Sequence, residues 1–192
     1  MNTVSSNVEK IMSFTDGANG ADDLANKLRR AGKRSGIRVV SSDDASVTVH
    51  MDDAEYRVVR NDSPGFGAFA SFMKRKRSVL LPKLDKLGGD DKWTVFQTEE
   101  LVPLEEVVGE AAATEFQTWV NRYVDARING ENAWRSKDHR PPNLGDLVNY
   151  GNLRGLLNKL VTHARAAKTT FNTHACFMVR GKDQLVIADP IS

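Results

Sequence analysis

Cysteine is almost missing from this sequence: Cys176 is the only one in 192 residues. That excludes an internal disulfide and fits a reducing compartment. Long apolar runs are missing too, and none approaches the roughly 20 residues of a membrane span. The opening MNTVSSNVEKIMSF lacks the basic start and apolar core of a signal peptide. The expectation is a soluble intracellular protein without a membrane partner. An excess of charge of one sign is missing as well. A net charge of +2 is too small to argue nucleic-acid binding by itself. The four histidines, His50, His139, His163 and His174, lack metal-ligand spacing. For His163 and His174 the plainer role is structural hydrogen bonding. What is present, 40% hydrophobic and 27% charged residues, suits one domain with a real core or a small two-lobed one.

Along the chain, residues 1–19 are polar with a short apolar patch at Ile11, Met12 and Phe14, and read as an arm. Gly20 to Gly36 reads as a helix, with Asp22 and Asp23 near its start, Lys27, Arg29 and Arg30 near its end, and Gly32 or Gly36 as its stop. Short β-branched runs divided by SSDDA and MDDAE predict three antiparallel strands over 37–60. Pro64 to Arg77 carries Phe66, Phe69, Phe72 and Met73 at helical spacing and ends in KRKR. Strands at 82–87 and 93–97 flank the hairpin signal GGDD. A long helix is predicted over 103–128, with Phe116, Trp119, Val120, Tyr123 and Val124 in its apolar stripe. A loop rich in Asn, Gly and Pro follows at 129–143, then a helix over 144–168 and a closing strand pair, FMV and LVIAD.

Runs of strands followed by runs of helices argue an α+β fold. Its parts are an arm (1–19), a small five-stranded antiparallel sheet part (20–101) and a reduced helical part (102–192). The three are expected to form one compact two-lobed unit.

The segment FNTHACFMVRGKDQLVIADPIS, the stretch PKLDKLGGDDKWTVFQTEEL and the run RVVR followed by GAFASF carry a resemblance. Together they resemble the early-gene Ser/Thr protein kinases of autographivirus-type bacteriophages, over roughly residues 21–192. That resemblance implies a protein-kinase-like fold. It also implies an Asp-x-His-x-x-Asn catalytic loop near His174 and a magnesium-binding Asp at Asp189-Pro190.

Most of the chemistry such an enzyme needs is missing. No glycine lies between Gly36 and Gly65, so SSDDA would replace the phosphate-cradling loop. There Asp43 and Asp44 would oppose a polyphosphate, and a plain solvent-facing hairpin is the simpler reading. Arg60 is the basic residue taken for the third-strand lysine, whose compact ammonium it does not reproduce. The helix at 64–77 offers no acidic partner for it. Anchoring on His174 puts Asn172 and Phe177 where the catalytic Asp and the magnesium Asn belong. Anchoring on Phe177-Met178 puts Phe171 and Cys176 there. Asn172 cannot accept a proton at neutral pH, and Asp189 alone survives.

The resemblance thus points to a catalytically inactive pseudokinase, a bacteriophage early protein of the host-cell cytoplasm. It would bind and inhibit a host protein of transcription, RNA processing or defence. No cofactor is expected on this reading. One alternative is an active atypical Ser/Thr kinase using Mg-ATP, Arg60 and Asp189. Another is a nucleic-acid-binding inhibitor using the basic clusters KLRRAGKR (27–34) and Lys74, Arg75, Lys76 and Arg77. The candidate partner surface is the 103–128 helix with Trp134, Arg135 and Arg140 of the following loop, since Trp and Arg are common interface anchors. Cys176 reads as a small core residue.

Overall fold

The computed structural model describes residues 3–129, 140–147, 152–171 and 177–188, which form an α+β fold in two compact units. The first unit holds residues 1–63 and 83–100, and the second holds 64–82 and 101–192.

The first unit is built on a five-stranded antiparallel sheet. Its strands are β1 (Arg38–Ser42), β2 (Ser46–Met51), β3 (Ala54–Arg60), β4 (Leu84–Gly89) and β5 (Trp93–Thr98), in the order β1-β2-β3-β5-β4. The register pairs Val47 with Val58, Val49 with Tyr56, and Val58 with Val95. Alternation therefore puts Val47, Val49, Tyr56, Val58, Trp93 and Val95 on one face. That face packs with Leu24, Ala25 and Leu28 of α2 (Ala21–Ser35) and with Ile11 of α1 (Thr3–Met12). The β2–β3 turn is Asp52-Asp53, both at positive φ (49° and 60°), the left-handed pair that a two-residue hairpin requires. Helix α2 ends as expected at Gly36, which is left-handed at φ 69° and returns its N–H to the Gly32 carbonyl.

The expected arm is instead a helix. Val8, Ile11, Met12 and Phe14 pack on the sheet unit's core, and Ile11 is fully buried. Burying one such side chain stabilises by about 1.5–3 kcal/mol. The buried Asn7 side chain adds a hydrogen bond to the Tyr56 hydroxyl at 3.2 Å.

The second unit begins with α3 (Pro64–Arg75), which the sequence grouping had placed with the sheet. Its buried Phe69 and Phe72 join a core with Phe116, Trp119 and Tyr123 of α5 (Glu110–Ile128) and with Leu156, Leu157 and Leu160 of α6 (Leu153–Ala166). A hydrogen bond of 2.9 Å between His163 Nε2 and the Ala68 carbonyl ties α6 to α3. That is the structural role expected of His163.

The predicted 103–128 helix is broken in two. A short α4 (Leu104–Val108) stops at Gly109, whose φ of 84° leaves the helical region, and α5 starts anew. Helix α6 begins later than the periodicity suggested. Leu144 and Leu147 are buried without belonging to a helix.

The closing strand pair forms as read. β7 (Phe177–Arg180) pairs with β8 (Gln184–Ile187) and with the short β6 (Val102–Pro103). Arg180 holds this pair to segment 79–81 by donating to the carbonyls of Val79 (3.0 Å) and Leu81 (2.9 Å), and the Ile187 N–H donates to the Leu80 carbonyl at 2.8 Å.

Candidate functional site

Arg60 and Arg57 lie three residues apart on β3, so they point to opposite faces of the sheet. Arg60 is opposite Trp93 and shares the face of Tyr56 and Val58. It forms an ion pair with Asp62 two residues later. The strand's other basic residue, Arg57, stands on the polar face between Thr48 and Phe96. Sequence alone assigns Arg57 no role. Its Nε donates to Ser46 Oγ at 3.1 Å and its Nη2 to Asp43 Oδ2 at 3.3 Å.

Asp43 organises the first hairpin. Its Oδ1 accepts the Ala45 and Ser46 N–H groups, each at 2.8 Å, and its Oδ2 accepts the Ser46 hydroxyl at 2.8 Å. The backbone donors that a phosphate-cradling turn would aim at a ligand here serve an internal carboxylate. That carboxylate in turn holds the basic side chain of β3. The turn is thus a self-satisfied hairpin.

Further along the polar face, Glu55 sits opposite His50 and Thr98. Its carboxyl is raised above the ordinary glutamate range, first by burial and then by the Glu100 carboxylate, against smaller opposing effects of His50 and Arg38. A raised acid favours folding in its protonated form. This contribution is complete below the unfolded-state pKa and is lost as pH rises through the folded value. Glu55→Gln is therefore expected to raise the melting temperature modestly at pH 7 and to leave it unchanged under acidic conditions. Paired thermal melts across pH would check this, and an equal effect at every pH would refute the assignment.

Phe177, one candidate for the magnesium-Asn position, is buried on β7 with its ring edge-on to Phe116 at a centroid distance of 5.1 Å. It packs in the second unit's core and presents no polar group. Asn172, His174, Cys176 and Asp189 lie outside the described residues, as do Trp134 and Arg135 of the candidate partner surface. Arg140 is exposed.

No family model and no curated protein matches this chain.

The 103–128 segment does not offer its aromatic stripe outward. Phe116, Trp119 and Tyr123 are all buried in the second unit. This segment exposes Val107 and Ile128, and its exposed Glu105, Glu106, Glu110, Thr114 and Thr118 line an open cleft together with Phe177. Inside the unit, the Arg154 guanidinium lies 5.7 Å from the Trp119 ring centroid, and its Nε and Nη2 are buried with no hydrogen bond among the described residues. Lys74, Arg75, Lys76 and Arg77 are exposed at the end of α3, and none forms a salt bridge among the described residues. No group of three or more His, Cys, Asp or Glu side chains suited to a metal occurs among the described residues, and none of their helices is long and apolar enough to cross a membrane.

Proposed function

We propose that this chain is a kinase-like early protein of bacteriophage type that does not transfer phosphate and acts by binding and obstructing a host protein. The single observation that carries the reading is the closed first hairpin. Asp43 takes up the Ala45 and Ser46 N–H groups and pairs with Arg57, so these donors and this cation are turned toward the chain itself and away from a polyphosphate. Two further features support it. Three strands, a helix and two strands precede the long helices and the closing strand pair. Helix α3, in the place of the helix that should supply a carboxylate to the third strand, carries no acidic residue.

Asp–Asp or Glu–Glu pairs mark the turns and edges of the first unit at 43–44, 52–53, 90–91 and 99–100. Association with a host protein would accordingly be steered by charge and weakened by salt.

Thermal melting with Mg-ATP tests the proposal. A ligand at 100 times its Kd stabilises a fold by about 2.7 kcal/mol, roughly 5–10 °C for a chain of this size. The expected result is no shift and no transfer of labelled phosphate to host-lysate proteins. A shift of that size, with transfer that Asp189→Ala abolishes, would establish the active atypical kinase instead.

A further inference from the structure

Helix α1 and the turn after it bring Lys10 and Phe14 beside α2, where Lys27, Arg30 and Arg34 follow one another at i, i+3 and i+7. These side chains, with Asp16, line an open cleft of about 670 Å³ that lies wholly within the first unit. Among the described residues, four basic side chains line it with the one carboxylate of Asp16, in a chain whose net charge is only +2. The basic character is therefore local and not a general coat.

Lys27 is engaged, donating to the Asp16 carbonyl at 3.0 Å and lying 3.8 Å from Asp23. Lys10, Arg30 and Arg34 are exposed, and their side chains make no hydrogen bond or ion pair among the described residues. Helix rise sets the steps between Lys27, Arg30 and Arg34 at about 4.5 and 6 Å along the axis. The cations thus form a row and not a point. Phe14 is half-buried against the core and is the one aromatic side chain among the described residues that line the cleft.

We infer that this cleft binds single-stranded nucleic acid, with the row of cations on successive phosphates and an unstacked base against Phe14. A cationic groove that tracks a backbone, with an aromatic platform beside it, is the combination that sequence-tolerant single-strand binding needs. An acidic protein segment would satisfy the cations but would gain nothing particular from the ring. The inference is independent of the kinase-like reading, because it uses none of the residues that reading depends on.

Fluorescence anisotropy of the full chain with a labelled oligo-dT of about 12 nucleotides, within the usual site sizes, tests it. Three to four phosphate contacts predict a slope of log K against log salt of about −2 to −3. The pair Arg30→Glu and Arg34→Glu should abolish binding. Arg30→Lys with Arg34→Lys should hold affinity within about threefold, since phosphate neutralisation depends on charge. Phe14→Leu keeps an apolar side chain against the core and should weaken binding about tenfold with the salt slope unchanged.

No retention at low salt would overturn the inference. So would affinity indifferent to the Arg30 and Arg34 reversals, or loss of binding on neutralising Lys74 to Arg77 alone. Binding of poly-glutamate as tight as oligo-dT, with Phe14→Leu silent, would assign the cleft to an acidic protein.

Discussion

Phe116→Ala is expected to lower the melting temperature by about 10–15 °C. The ring is fully buried, sits edge-on to Phe177 at 5.1 Å and lies against Trp119 at 6.1 Å. Truncating a buried Phe costs about 3–5 kcal/mol through lost transfer energy and the cavity left behind. Each kcal/mol corresponds to roughly 2–4 °C in a chain of this length. Against a typical total stability of about 5–15 kcal/mol, the loss is large. Urea denaturation followed by tryptophan fluorescence would measure it, because Trp119 belongs to the same cluster. Phe116→Leu should lose markedly less, since most of the volume remains. Equal and small losses in both variants would mean that the α5 stripe is not the second unit's core.

Gly89→Ala should damage the first unit by a different route. A Cβ at this position would stand 2.3 Å from the Trp93 carbonyl oxygen and 2.9 Å from the Thr94 Cα. Both are backbone atoms of the adjoining strand, so no side-chain rotation relieves the contact. The turn is also fixed on its other side: Asp90 Oδ1 accepts the N–H groups of Lys92 (2.7 Å) and Trp93 (2.8 Å). Overpacking of this kind costs about 1–3 kcal/mol and occasionally more, and here it should reach or exceed the upper end. Gly67→Ala is the contrasting substitution. It lies within α3, and an added Cβ there would meet nothing within 4 Å. Removing glycine's backbone freedom at such a site should stabilise by about 0.5–1 kcal/mol. Melts of the two variants should move in opposite directions. A neutral Gly89→Ala would show that the β4–β5 turn rearranges.

Much of the local structure could be read from the residues because its causes are local. The β-branched runs between Asp/Ser turns did form β1 to β3, GGDD did turn β4 into β5, and FMV and LVIAD did pair as the last two strands. Where the structure departs from the sequence pattern, the causes are physical. Helix α1 was hidden because its apolar residues are few, and its burial depends on a sheet whose first strand starts only at Arg38. The 103–128 stripe looked continuous because hydrophobic periodicity says nothing of Gly109, whose positive φ interrupts the helix. On β3 the adjacent Val58 and Val59 are both buried, so alternation alone could not say which arginine faces which side. The register with Trp93 on β5 settles it for Arg60, and the contacts to Asp43 and Ser46 settle it for Arg57.

The candidate sites divide in the same way. The residue types of a segment are visible in the sequence alone: no glycine between 36 and 65 and no carboxylate between 64 and 77. That Asp43 fills its own turn's donors, and that Lys10 and Phe14 join Arg30 and Arg34 around one cleft, depends on atoms brought together from separate elements. The sequence by itself determined most of the strands and helices and their order, because periodicity, turn residues and side-chain identity act over a few positions. Only the tertiary structure decided that α3 belongs with the helical unit and that the opening segment packs on the sheet. Burial is a property of the partner surface, and no single stretch of chain carries it.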